Sequence, residues 1–336
     1  MKTKLVIISL LIIAWLAVPF ASAEDEVGGY AGNFLKYDMS ARALGMGGAF
    51  TALADGAGGV RYNPAGISGI KNTQAGFTYS KLTWDRKLNY AEVLFPLPKQ
   101  AVIGLSWINA GVSDVKERNS NGDVVGDLKN DENSFNLTFG RRIVENISIG
   151  ANIRYVHYNF ADIVVGTMGI DLGVIGYLLD DNLTAGFKVG NLGSKYSWDT
   201  ADYYETSGTT YDEEFPKIYR FGLAYKFMEK AFTVAADYEK DEKTNAKFRF
   251  GAEYWYYQDA VEEYVDEYTD EIRTRPIKRK FISGRVGYND GQITFGAGIR
   301  HKIYSNFFGK LDYGFSTGAL DGLSPDHLIT LGIGYY

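Results

Sequence analysis

From about residue 72 onward, apolar and polar positions alternate with a period of two. Ile293, Phe295, Ala297 and Ile299 alternate with Thr294, Gly296, Gly298 and Arg300, and Phe248, Phe250, Ala252 and Tyr254 alternate with Arg249, Gly251 and Glu253. Met168, Ile170, Leu172 and Val174 flank Gly169, Asp171 and Gly173, and the chain closes on Ile329, Leu331, Ile333 and Tyr335 around Thr330, Gly332 and Gly334. This is the period of β-strands with one apolar and one polar face. A sandwich would bury the apolar face against a second sheet. A transmembrane barrel would turn it to lipid and keep the polar face inside. The polar face favours the barrel, because Arg154, Asp171, Lys188, Arg220, Asp237, Arg249, Glu253, Arg285, Arg300 and Asp312 mix both signs as a hydrated, ion-paired lumen would. So does the apolar face, where Tyr79, Trp107, Tyr254, Tyr288 and Tyr335 fall near strand ends, as interfacial girdles require.

The alternation predicts an all-β fold, a transmembrane antiparallel barrel of about fourteen strands. They lie near residues 73–82, 88–96, 100–110, 133–142, 146–159, 163–178, 182–190, 217–228, 231–240, 246–257, 278–289, 291–302, 306–316 and 326–336. An even count puts both ends of the barrel chain on one side, the periplasm. Connections should then be short on that side (96–99, 143–145, 179–181, 228–230) and long outside (111–132, 191–216). The segment 258–277 breaks the rule, being long where a short turn is due. Val261, Tyr264, Val265, Tyr268 and Ile272 recur there at helical spacing among acidic residues, which predicts a short amphipathic helix beneath the barrel. The alternative is a miscounted strand and an ordinary external loop.

Composition agrees with the pattern. The chain has 336 residues with 25 Tyr, 20 Phe and 39 Gly, a glycine share well above the usual ~7%, and aromatics too abundant for disorder. There is no cysteine, which excludes disulfides, thiolate metal sites and cysteine nucleophiles. Net charge is −6, so a nucleic-acid partner is not expected. Lys2 and Lys4, an apolar run from Leu5 to Val18 and the small residues Ala21-Ser22-Ala23 read as a signal peptide over residues 1–23, cleaved before Glu24. The expected location is the outer membrane of a Gram-negative-type bacterium, in contact with lipid and lipopolysaccharide.

Residues 24–71 do not alternate. They are dense in Gly and Ala, as tight turns and short helices packed inside another structure would be, and they predict a plug or hatch ahead of the barrel, 72–336. Phe34-Leu35-Lys36, Ala41-Arg42-Ala43-Leu44-Gly45-Met46-Gly47-Gly48-Ala49-Phe50-Thr51-Ala52, Ala54-Asp55 and Tyr62-Asn63-Pro64-Ala65-Gly66 resemble the opening signature of the PorV/PorQ family, within the superfamily of the long-chain fatty-acid transporter FadL. Gly251-Ala252-Glu253-Tyr254-Trp255, Gly284-Arg285-Val286-Gly287-Tyr288, Leu311-Asp312-Tyr313 and His327 continue the resemblance to the end of the chain. It implies a fourteen-stranded barrel closed by an N-terminal hatch. In fatty-acid transporter relatives Asn-Pro-Ala sits in that hatch and substrates leave sideways through the wall, which by position gives Arg42, Gly47, Gly48, Asp55, Asn63, Pro64 and Ala65 a hatch role here. Some relatives instead serve the type IX secretion system. The length of 258–277 and the terminal Tyr335-Tyr336 depart from the family pattern.

No catalytic, cofactor or metal constellation emerges. His157, His301 and His327 lie in different strands without metal-like spacing, and Asn119, Asn121, Asp123 and Asp127 lack the glycine position and closing glutamate of a calcium loop. Arg42 is a candidate partner for a lumen carboxylate, Asp171 or Glu253. Tyr196, Trp198, Tyr203 and Tyr204, on the long loop 191–216, are candidates for capturing an apolar ligand, against a self-packed loop or lipopolysaccharide contact. Two functions follow: passive binding and uptake of hydrophobic, fatty-acid-like molecules through the hatch and a lateral opening, or an outer-membrane adaptor of a type IX-like protein secretion system.

Overall fold

The structure is a computed structural model describing residues 29–82, 86–161, 163–199, 201, 208–265, 272–304, 307–317 and 326–335. The leader lies outside the described residues. Numbered in chain order, the barrel strands are β1 (Gln74–Lys81), β2 (Arg86–Leu97), β3 (Ala101–Val112), β6 (Asn130–Val144), β7 (Ile147–Phe160), β8 (Ile163–Leu178), β9 (Leu183–Leu192), β12 (Ile218–Phe227), β13 (Phe232–Asp241), β14 (Lys247–Val265), β15 (Ile272–Asn289), β16 (Gln292–Tyr304), β17 (Phe307–Ser316) and β18 (Asp326–Tyr335). Each pairs antiparallel with its sequence neighbours in the barrel, and β1 closes on β18 with Phe77 opposite Leu331. The fourteen-stranded transmembrane barrel expected from the alternation is therefore observed.

The two faces separate as a membrane barrel requires. Met168, Phe248, Phe295 and Leu331 project outward, about half exposed or more, whereas Asp171, Glu253, Arg285 and Asp312 point inward and are buried. An outward belt this apolar would be an aggregation surface in water and matches only lipid.

Four connecting strands escaped the sequence pattern. β4 (Lys116–Arg118) pairs with β5 (Val124–Asp127), and β10 (Lys195–Asp199) pairs with β11 (Thr210–Glu214), so both long loops are two-stranded ribbons. The apex of the first is held by Asn119, whose Oδ1 accepts from the backbone N–H of Asn121 and Asp123, each at 3.0 Å.

The helix expected over 258–277 is overturned. β14 runs on to Val265 and β15 begins at Ile272, so the segment extends one β-hairpin beyond the rim, at the end of the barrel that carries the short turns. Residues 266–271 lie outside the described residues. The physical reason is charge placement. The register sets Asp259 opposite Lys278, and opposite charges placed across strands favour an antiparallel pair. A helix would instead bring the acidic residues together three and four apart, where like charges repel.

Candidate functional site

The N-terminal segment packs against inward-facing side chains of strands all round the barrel. It contains a short 3-10 turn (Asn33–Lys36), one-turn helices at Ala41–Gly45 and Gly59–Tyr62, and a second 3-10 turn at Pro64–Gly69. Asn63 starts this last turn: its Oδ1 accepts from Ala65 N–H at 3.0 Å, a side-chain N-cap with Pro64 in the first position, where its missing N–H costs nothing. Its amide nitrogen donates to Thr51 O and Val174 O, each at 3.1 Å, so a single side chain ties the turn both to its own segment and to β8. The wall leaves room through glycine. A Cβ on Gly150 would lie 2.3 Å from Pro64 C, and one on Gly287 would lie 2.2 Å from Gly47 N. Gly47 itself has φ 65° and faces the backbone oxygens of Tyr288 and Phe250, where no other residue fits.

Among the described residues, three ionic clusters and the Lys36–Asp241 pair at 2.6 Å hold this segment and its surroundings. In the first, Arg42 donates from Nε and Nη2 to both oxygens of Glu253 (2.7 and 2.8 Å) and from Nη1 to Asp55 Oδ1 at 2.5 Å. Glu253 also accepts from Arg285 Nε at 2.7 Å, and Arg285 pairs with Asp312 at 2.8 Å. Of the two carboxylates open to Arg42, the fold supplies Glu253. Desolvation pushes the Asp55 carboxyl up, but the Arg42 guanidinium together with the Lys280 and Lys226 ammonium groups outweighs it and holds the group below its ordinary value. In the second cluster, Arg249 grips Glu239 with two bonds of 2.8 and 3.0 Å, and Arg220 pairs with the same carboxylate. Nearby, Asp237 Oδ2 accepts from the backbone N–H of Phe50 and Thr51 at 3.1 and 2.9 Å. In the third, Asp171 pairs with Arg154 at 2.9 Å and Lys188 at 3.6 Å, and Lys188 donates to Arg61 O at 2.7 Å. Arg300 joins none of these; its guanidinium lies 4.0 Å from the centre of the Phe308 ring.

A different environment fills the long-loop end on the β2, β3, β7 and β8 side. Leu88, Tyr90, Ile108, Val156 and Val165 form an apolar wall with Phe34, Leu35 and Met39 of the N-terminal segment against it. The β10–β11 ribbon covers it. Tyr196 is 1% exposed and Phe215 2%, their rings meet edge to face at 4.8 Å, and Tyr158, Tyr196 and Trp198 form a triangle of mutually touching rings 5.5–5.7 Å apart. The polar tips are satisfied, Tyr196 Oη by Glu132 at 3.1 Å and Trp198 Nε1 by Glu213 at 3.0 Å. Tyr196 and Trp198 thus turn inward as part of a lid; Tyr203 and Tyr204 lie outside the described residues. The sequence pattern did not single out Met39, Leu88, Ile108, Val156 and Phe215, nor place Phe34 among them, as parts of this cluster. One signal was present: Ile163, Val164 and Val165 are apolar in succession, which lapses the alternation where both faces of β8 meet apolar surroundings.

None of the three histidines approaches a metal-like cluster. His301 faces outward and exposed, and His327 shares a hydrogen bond of 2.7 Å with Tyr313 Oη. Among the described residues no group of three metal-ligating side chains occurs.

No protein-family model matches the chain and no curated protein matches it. Solved structures do. The chain is similar to the Pseudomonas putida toluene transporter TodX (TM-score 0.55, 13% identity, 94% of this chain and 99% of that one). It is similar to a Pseudomonas aeruginosa FadL homologue (TM-score 0.55, 11% identity, 88% and 98%) and to the CymD monoaromatic hydrocarbon channel (TM-score 0.53, 14% identity, 91% and 98%). At these identities the likeness is one of fold: a FadL-like barrel over nearly the whole length.

Proposed function

We propose that this chain is an outer-membrane channel of FadL-like fold for passive uptake of hydrophobic small molecules, exported with its leader cleaved after Ala23. The observation that carries the reading is the packed apolar cluster at the long-loop end, where Tyr196 and Phe215 cover Leu88, Ile108 and Val156 of the wall and Phe34, Leu35 and Met39 of the N-terminal segment. Once the covering loop moves aside, surface of this composition favours apolar solutes, at about 25 cal/mol per Å2 of apolar surface taken from water. TodX and CymD, described as a toluene transporter and a hydrocarbon channel, have the same fold, which supports this class of solute. In this scheme residues 24–71 are the hatch. A ligand enters by displacing the lid, and passage requires Asn63, Pro64 and their neighbours to shift from the wall glycines, after which it leaves through the wall. No bond is made or broken.

The N-terminal signature supports the finer assignment to PorV/PorQ type. One observation favours the second reading, a secretion adaptor: the β14–β15 hairpin stands free of the rim and offers a partner a two-stranded surface. Uptake decides. In proteoliposomes the protein should accumulate labelled toluene or a labelled fatty acid faster than empty liposomes, with saturation. Rates equal to empty liposomes, together with a stoichiometric protein partner in native extracts, would replace the channel by the adaptor.

A further inference from the structure

The barrel wall is not paired along its whole height. The ladder between β15 and β16 runs from Asn289 opposite Gln292 to Ile282 opposite Ile299 and stops, although β15 extends back to Ile272 and β16 on to Tyr304. Past that point β15 stays with β14 and β16 with β17, where Arg300 faces Lys310. The seam between them holds a cavity of 390 Å3. Its lining brings the cations Lys278, Arg279, Lys280, Arg300 and Lys302 together against one carboxylate, Asp259. In a chain of net charge −6 this is a local inversion of sign.

A second cavity, of 490 Å3, meets the first at His301, which lines both. It is a furrow walled by Phe77, Ile299, Ile303, Leu331 and Ile333, all on the outward face. Gly309 opens it: a Cβ there would lie 2.6 Å from Ile303 Cδ1. A cationic pocket at the edge of the apolar belt, continuous with an apolar furrow along that belt, has the polarity profile of a single lipid molecule.

We propose that seam and furrow form a binding site for an anionic phospholipid of the surrounding bilayer. The phosphate is held by Lys278, Lys280, Arg300 and Lys302, and an acyl chain lies in the furrow. Charge-assisted hydrogen bonds to phosphate are strongest where water is partly excluded, and a guanidinium offers the planar donor pair such an anion takes. The seam supplies both conditions, since Arg300 and Lys280 lie on aromatic rings, Phe308 and Trp255, that keep water from one side of each charge.

The test is lipid binding to the full chain in detergent, read by native mass spectrometry with phosphatidylglycerol and phosphatidylcholine of matched acyl length. A preference for phosphatidylglycerol of about tenfold is expected, of the size basic pockets give anionic headgroups. Lys280→Gln/Arg300→Gln/Lys302→Gln should abolish the preference, and Gly309→Val should weaken retention of both lipids while the folded band on an unheated gel persists. If the triple variant does not fold, Lys278→Gln/Lys302→Gln, at exposed positions, is read instead and should lower the preference. Equal retention of the two lipids, or a preference the variants leave intact, overturns the proposal. Displacement of phosphatidylglycerol by equimolar inorganic phosphate would show a bare anion site, and stronger displacement by lauric acid would show a site for transported acid; either also overturns it. Proteoliposome uptake reports on the channel separately, so failure of one reading does not carry the other.

Discussion

Two regions of the lumen hold the N-terminal segment in different ways. On the β12 to β17 side, Arg42 meets Glu253, Arg285 and Asp312, and Arg249 and Arg220 meet Glu239. On the β2, β3, β7 and β8 side at the long-loop end, Leu88, Ile108, Val156 and Val165 meet Phe34 and Met39 with no ion pair between them. The same N-terminal segment contacts both. Against the ionic side it is fixed by directional bonds at 2.7–2.8 Å, which hold one geometry and lose most of their worth when it shifts. Against the apolar side it is fixed by non-directional burial, which tolerates sliding and repacking. In the channel proposed above, the ionic side would keep the segment seated while the apolar side yields to a solute.

Breaking the anchor should have the largest effect. Glu253→Ala leaves Arg42 and Arg285 buried without their shared carboxylate and should cost about 3–5 kcal/mol, seen as a fall in the denaturant midpoint. Residues 29–71 should become sensitive to protease while the strands stay protected. An unchanged midpoint would mean that the ionic side is ornament. Leu88→Ala should cost about 2–3 kcal/mol by opening a cavity in the packed apolar cluster. Its signature is opposite to that of Glu253→Ala, with protease resistance retained and retention of an apolar dye increased. If both variants behave alike, the two regions do not hold the segment in different ways. Asn63→Ala removes a cap and two buried bonds, and about 1–3 kcal/mol should be lost. Smallest is Asp55→Asn, since Asp55 is half exposed and such pairs contribute below about 1 kcal/mol. Because the Asp55 carboxyl is held below its ordinary value, its contribution is present at neutral pH and fades only as pH falls through that lowered value. A midpoint difference between wild type and Asp55→Asn that vanishes only in acid is expected, and one that vanishes near neutrality would contradict the pairing.

How much of this was legible in sequence depended on whether the signal was local. Outward Phe248, Phe250 and Tyr254 and inward Arg249 and Glu253 announce their faces through their neighbours, because a strand has only two sides. The choice between Asp171 and Glu253 as partner of Arg42 was not legible, since both point inward and only barrel closure decides which lies over residue 42. The apolar cluster was hidden for the same reason. Tyr196 and Trp198 stood out as aromatic, yet their inward turn depends on Phe34 and Tyr158, far away in the chain. The 258–277 error came from reading one strand of a pair alone: Val261, Tyr264 and Val265 fit a helical stripe until Lys278 is set opposite Asp259.

The sequence by itself determined the fourteen strands, their faces and the barrel, because a period of two with an apolar outer belt has one stable closure in lipid. It also marked residues 24–71 as a different kind of chain. Tertiary structure decided what the inside is: which carboxylate receives Arg42, where the lumen is apolar, and where the wall stops pairing between β15 and β16. Those depend on contacts the local pattern does not encode, 211 positions apart for Arg42 and Glu253, and on where a ladder ends, and their free energy exists only once the sheet has closed on itself and fixed the distances.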